Sequence, residues 1–338
     1  MPTVEAWIDE HIEGLVAPFE WTRLEGGHSN ITYQLQDASG KKAVIRRPPL
    51  GELLPGAHDM SREWALISCL GPTGFPVAPA LGFCSDTEVS GACFYVMGFI
   101  DGHPLYDAGQ TIERIPLEKR VTLAHSFVDT LAELHALDPD EIGLGKLGKK
   151  ENYVGRQLKA WYRSWTSSIE PAEYDDPRAH TLKEYFLEHM PEQGAARVVH
   201  GDYGLRNCLV SSESTIAAVL DWEMSTLGDP LADLAYALKV WPETTEDIAA
   251  SPDAATAVSG FPLRSELANR YAEKTTCELD MLDFYIGFNH WKSAAVYHGV
   301  YARYKEGKKS TEGVDMGALR VRIDSELSAA EKSVNQLS

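Results

Sequence analysis

Short runs rich in β-branched and aromatic residues open the chain. Ile31-Thr-Tyr-Gln-Leu35 and Lys42-Ala-Val-Ile-Arg46 flank the turn cluster Asp37-Ala-Ser-Gly40, which predicts a β-hairpin. Phe94-Tyr-Val-Met97 predicts a third strand, and Ser61–Leu70 a helix stopped by Gly71-Pro72. Met60, Glu63, Ile67 and Leu70 share one face of that helix, so an acid interrupts an apolar stripe and wants a cationic partner. After Asp101-Gly102 the period lengthens. Leu123, Phe127, Leu131 and Leu134 recur at helical spacing, and 151–166 and 264–304 read as helical. The pattern predicts an α+β chain with a strand-rich unit over residues 1–100 and a mainly helical unit over 101–338.

A second hairpin signature lies deep in the helical part. Cys208-Leu-Val210 and Ile216–Leu220 are apolar, Ser211–Ser214 is a turn, and the second run ends on Asp221. Pairing Val210 near Ala217 sets Asn207 beside Leu220 and Arg206 beside Asp221. With strands about 5 Å apart, Asn207 and Asp221 then meet at the open end of the hairpin. Asp202, on the loop His200–Asn207 that feeds this end, joins them. Two acids in so small a volume favour a divalent cation as partner. Oxygen ligands without cysteine favour Mg²⁺ over zinc. An ordinary turn of Asp, Gly and Asn is the competing explanation of the same letters.

Charge narrows the partners. Acids exceed bases by 50 to 31, a net charge of −19, which argues against binding to nucleic acid or to an anionic membrane. Any phosphate site must be made locally. The acidic N-terminus has no signal-peptide pattern, and no apolar run approaches the ~20 residues of a spanning helix. The five cysteines have no CxxC spacing, so a reduced, cytoplasmic protein is expected. The common zinc-protease, α/β-hydrolase and P-loop motifs are absent from the sequence.

The order H-G-D-x-x-x-x-N, hairpin, L-D-W-E resembles the core of the aminoglycoside phosphotransferase/choline kinase group, relatives of protein kinases. The protein-kinase form is H-R-D-x-x-x-x-N followed by D-F-G. The resemblance implies a protein kinase-like bilobal fold: an N-terminal nucleotide-binding lobe of antiparallel sheet plus helix, and a mainly helical C-terminal lobe. It implies that Asp202 accepts the proton of a substrate hydroxyl, that Asn207 and Asp221 hold Mg²⁺, and that ATP or GTP supplies the phosphoryl group. Gly228-Asp-Pro-Leu-Ala-Asp233 resembles the same group's G-D-P-x-x-D, where Asp233 would brace the catalytic loop; a helix-capping role accounts for it equally well. Ala43-Val-Ile-Arg46 stands where protein kinases have V-A-I-K, so Arg46, or the adjacent Arg47, would contact phosphate, with Glu63 as the partner of Arg46. Glu25–Asn30 resembles the loop that covers the nucleotide, which nominates Gly26, Gly27, Ser29 and Asn30. Phe94–Gly102 resembles the hinge between lobes, which nominates Met97 and the backbone of Phe99 and Ile100 as adenine contacts.

Gly143-Leu-Gly-Lys-Leu-Gly148 matches a dinucleotide fingerprint in letters, but it follows a helical segment where that fingerprint needs a strand. With Tyr153, Arg156, Gln157 and Trp161 it instead resembles one branch of the family. That branch is the kinase-like domain found alone or ahead of certain acyl-CoA dehydrogenases. Arg46-Arg-Pro-Pro, Leu53-Leu-Pro and Ala57-His-Asp resemble that branch too. It implies a hydroxy acid or its acyl-CoA thioester as acceptor, with Lys146, Lys149, Lys150, Arg156 and Lys159 as candidates for a basic pocket mouth. Two rivals stay open: an aminoglycoside phosphotransferase, and a nucleotide-binding pseudokinase without turnover.

Overall fold

The computed structural model describes residues 3–24, 30–49, 59–244, 247–248, 251, 253–308, 311 and 313–337. Its N-terminal part is a five-stranded antiparallel sheet of order β1-β2-β3-β5-β4, made of β1 (Phe19–Arg23), β2 (Ile31–Asp37), β3 (Lys42–Arg47), β4 (Ala80–Cys84) and β5 (Phe94–Gly98). The expected β2–β3 hairpin forms with Ile31 opposite Arg47. Its turn is held by Asp37 Oδ1, which accepts from the Ser39 and Lys41 amides at 2.9 Å.

Helix α1 (Val4–His11) covers one face of the sheet and α2 (Met60–Leu70) the other. Ala43 and Ile45 of β3 pack with Ile8, Ile12 and Phe94 on the α1 side, whereas Val44 packs with Leu66, Ile67 and Met97 on the α2 side. The period of two therefore puts Arg46 on the α2 face and Arg47 on the opposite one. Arg47 donates to the carbonyl of Ser90, in the short helix α3 (Thr87–Ser90), at 3.0 Å. Asp59 caps α2 by accepting from the Ser61 and Arg62 amides. At the other end, Gly71 and Pro72 do not stop the chain's turning at once; they continue it as a single 3₁₀ turn to Thr73.

Beyond β5 the chain is mainly helical: α4 (Ala108–Arg114), α5 (Arg120–Ala136), α6 (Tyr153–Ala172), α7 (Pro177–Glu188), α8 (Pro230–Leu238), α9 (Arg264–Thr275), α10 (Leu282–Lys305) and α11 (Met316–Asn335). Two expectations need correction. The helix expected over 151–166 starts at Tyr153 and runs on to Ala172, past which Glu173 takes a left-handed conformation (φ 50°) and ends it. The stretch 264–304 is two helices, since Thr276 takes a left-handed conformation (φ 55°) and ends α9.

Four short strands lie among the helices: β6 (Arg197–Val199) pairs with β9 (Thr226–Gly228), and β7 (Cys208–Val210) with β8 (Ile216–Val219). Several links fasten the sheet part to this region, among them a backbone bond from Val219 N to Pro76 O at 2.8 Å. His103, just past β5, exchanges backbone hydrogen bonds with Val210 of β7 at 3.1 and 3.0 Å. Arg62 of α2 donates to the Leu147 carbonyl at 2.7 Å and to the Ser225 carbonyl at 2.6 Å. Gly143–Gly148 is a loop, and a β-carbon on Gly148 would collide with Thr226. Among the described residues, no helix is long and apolar enough to cross a membrane.

Candidate active site

The β7–β8 hairpin pairs Cys208 with Val219 and Leu209 with Ala218. An irregularity then sets Val210 opposite Ile216 instead of the expected Ala217. It lies at the turn end, so the open end keeps its register, and Leu220 N donates to Asn207 O at 2.8 Å. Asn207 and Leu220 are neighbours, and Asp221 follows directly with φ 63° and ψ 62°. Asp is one of the few side chains that enter this left-handed region, at a cost of about 1–3 kcal/mol that functional sites often carry.

Asp202 and Asn207 are joined directly. Asn207 Nδ2 donates to both the Asp202 carbonyl and Asp202 Oδ2, each at 2.9 Å. With both amide protons spent on Asp202, the Asn207 carbonyl oxygen faces away from it as an acceptor. The other carboxylate oxygen of Asp202, Oδ1, accepts from Arg206 and from the phenol of Tyr236 on α8. Arg206 turns to Asp202 and Tyr236 and does not pair with Asp221, although the register brings it close.

The loop that carries Asp202 is braced from below by buried groups. Asp233 of α8 is 2% exposed and accepts from His200 N at 2.6 Å and Gly201 N at 2.8 Å. It also meets His135 of α5 at 3.3 Å, and His135 is bonded in turn to the Tyr271 phenol. Burial works to raise the Asp233 carboxyl, but these bonds and the two histidines win, so it lies below the usual carboxylate range. His200 is fully buried; its Nε2 donates to Leu220 O at 2.8 Å and its Nδ1 accepts from Asp202 N. Here the His200 ring joins the loop to the hairpin.

Arg46 connects the sheet to this cluster. Its terminal NH₂ donates to Asp221 Oδ1 at 2.6 Å, and its Nε lies 3.1 Å from Glu63 Oε2, an ion pair off the N–H direction. Glu63, 2% exposed, also accepts from Asn30 and from the Tyr95 phenol, each at 2.9 Å. Burial lifts the Glu63 carboxyl, against the pull of Arg46 and Tyr95. Burial also works against the Arg46 charge, but Tyr95, Glu63 and Asp221 outweigh it and keep the guanidinium charged.

Glu63→Gln removes the charge while keeping size and polarity. It should weaken the hold on Arg46 and lower the stability of the fold by about 1.5–3 kcal/mol, the worth of a hydrogen bond to a charged group. Urea denaturation of both proteins would check this.

Of the other nominated residues, Met97 is buried on the α2 face of β5, and Phe99 and Ile100 are half-buried just beyond it. Lys42 stands over the Phe99 ring at 4.9 Å. Asn30 turns its amide inward to Glu63. Gly26, Gly27 and Ser29 lie outside the described residues, as does the motif over 53–58. Sequence reasoning missed Tyr236 and Lys292 beside Asp202. Tyr236 stands three residues after Asp233, on the same face of α8, which is a usable signal.

Among the described residues, no group of three or more His, Cys, Asp or Glu side chains could hold a metal. Asp221 and the side-chain oxygen of Asn207, brought near each other by the Leu220–Asn207 backbone bond, would offer two oxygen ligands. That fits Mg²⁺, which takes one or two protein ligands and completes its shell with phosphate and water.

The family model of the phosphotransferase enzyme family, APH, matches residues 20–267. Acyl-CoA dehydrogenase family member 11 of Homo sapiens is 33% identical over 320 residues, covering 92% of this chain but 40% of that protein. The chain thus spans well under half of this curated relative. A solved Ralstonia eutropha protein assigned as an aminoglycoside phosphotransferase is 30% identical, with a TM-score of 0.79 and 97% of each chain covered. Choline kinase from Cryptosporidium parvum shares the fold, with a TM-score of 0.65 at 13% identity and 98% and 96% of the two chains covered. An antiparallel sheet with its buried acid on α2, a mainly helical second part, and a match spanning both make the conclusion plain: the chain belongs to the APH phosphotransferase enzyme family.

Proposed function

We propose that this protein transfers the γ-phosphoryl group of ATP to the hydroxyl of a small molecule in the presence of Mg²⁺, and that the acceptor is a hydroxy acid or its acyl-CoA thioester. The supporting observation is the chain of contacts at the hairpin mouth, from Glu63 through Arg46 to Asp221, with Asp202 and Asn207 hydrogen-bonded alongside. Phosphoryl transfer is mostly positioning and electrostatics, and these groups supply both. The acceptor hydroxyl gives its proton to the Asp202 carboxylate as its oxygen bonds to phosphorus. The bond from phosphorus to the bridging oxygen breaks, and its electron pair leaves with ADP. Asn207 and Asp221 would hold Mg²⁺, which supplies charge neutralisation on the phosphates. Arg46 adds a fixed cation, kept in place by Glu63.

The surroundings of Asp202 favour an anionic acceptor. Arg206 is bonded to it and exposed, while the side chains of Lys239 and Lys292 lie buried behind it, each 5.1 Å from the Tyr236 ring centre and Lys239 paired with Glu326. A polycationic aminoglycoside would meet like charge there, which costs affinity. The acyl-CoA dehydrogenase relatives point the same way.

Coupled ADP formation, screened over hydroxy acids, their CoA thioesters and aminoglycosides, tests the acceptor. Turnover with the first two classes is expected. Turnover with aminoglycosides alone would contradict the choice of acceptor, and none with any class would favour a pseudokinase.

A further inference from the structure

Lys292 lies in the middle of α10, in the stretch Phe288-Asn-His-Trp-Lys-Ser-Ala-Ala295, and is 5% exposed. A lysine on a helix near the surface keeps its head in water by snorkelling. This one points inward. Its Nζ donates to the carbonyl of Gly201 at 3.2 Å, the peptide that leads into Asp202. Gly201 has φ +80°, and its own amide is held by Asp233. The same ammonium lies over the ring of Tyr236, whose phenol bonds to Asp202. Among the described residues, the Gly201 carbonyl is its only hydrogen-bond acceptor, so a cation with three donors is buried with one of them used. Burying a charge so sparsely partnered costs stability.

We propose that Lys292 is a positioning residue for phosphoryl transfer: it clamps the Gly201 peptide and sets a positive charge beneath Asp202. This rests on Asp202 being the general base. The groups facing the ammonium are Asp202 from the loop, Asp233 and Tyr236 from α8 and Lys239 just past its end; around these stand Arg206 of the loop, Glu326 and Arg322 from α11, and His290 on its own helix. Burial, opposed by Asp202 and Asp233, brings the Lys292 ammonium down to about 8. Its charge, present at neutral pH, is lost as pH rises through that value.

The test needs no identified acceptor. Release of labelled phosphate from [γ-³²P]ATP with Mg²⁺, with water as acceptor, is followed from pH 6 to 9.5 in wild type, Lys292→Arg, Lys292→Met and Asp202→Asn. In wild type the rate should fall as pH rises through about 8, and in Lys292→Arg that fall should vanish, because arginine keeps its charge. Lys292→Met should be slower by about 10²-fold throughout, as for a displaced catalytic group. It should nonetheless melt within a few degrees of wild type and bind ATP within a few-fold. Wild-type rates and the wild-type pH profile in Lys292→Met would overturn the proposal. So would a loss of rate matched by a loss of folding. If Asp202→Asn releases phosphate as fast as wild type, Asp202 is not the base, and the proposed function fails independently of Lys292.

Discussion

Asp202→Asn is expected to lower kcat by about 10²–10⁴-fold, the usual worth of a positioned general base, while nucleotide affinity changes no more than a few-fold. The substituted amide keeps the size of the side chain and can still meet Arg206 or Tyr236, but it cannot take a proton at neutral pH. Asp221→Asn should behave differently. Asp221 is the charged member of the proposed Mg²⁺ ligand pair, and it is also the acceptor for Arg46. The amide removes the charge that would bind the cation and leaves Arg46 a neutral acceptor in place of a carboxylate. Binding of Mg·ATP should therefore weaken along with the rate. Calorimetric titration of Mg·AMP-PNP into both variants, beside their rates, separates the two roles. Equal effects on binding and rate from both substitutions would mean that the acids are misassigned.

The second large effect is on folding. Asp233→Ala removes one carboxylate and leaves the amides of His200 and Gly201, and the ring of His135, without their buried acceptor. Breaking a buried charged network from one side costs about 3–5 kcal/mol. A drop of several degrees in Tm is the expected result, with the loop carrying Asp202 displaced. The pH dependence has a definite sign. The folded Asp233 carboxyl lies below its ordinary value of 3.8, so its contribution is complete above that pH and is lost as pH falls through the folded value. Urea melts between pH 3 and 7 should show wild type losing stability on acidification more steeply than Asp233→Ala. Parallel curves would remove Asp233 from this role.

The hairpin mouth could be read from the chain because its signals are local. Two short apolar runs, a serine-rich turn and an acid at the end fix which residues meet, even though an irregularity shifts Val210. The choice between Arg46 and Arg47 could not be made that way. Strand β3 is apolar on both faces, so alternation gives no direction, and only the packing of α1 and α2 sets Arg46 toward Glu63. Lys292 is hidden for a similar reason: α10 is buried nearly all round, and a helix without a polar side gives no clue to which neighbour a lone lysine faces. The break at Thr276 left no trace either, since a β-branched residue is a poor candidate for a left-handed conformation. Strand β1 carries a single buried residue, Phe19, and its polar remainder does not look like sheet.

Phosphorus NMR of the reaction itself tests the central claim most directly. The protein is mixed with ATP, Mg²⁺ and a pool of hydroxy acids and their CoA thioesters, and the spectrum is followed over time beside an Asp202→Asn sample. A phosphomonoester resonance should grow one-for-one with ADP in wild type and be slowed at least a hundredfold, about the lower bound for a positioned base, in the variant. An ester formed equally fast by both proteins, or ATP left intact by wild type with every member of the pool, would contradict phosphoryl transfer at Asp202.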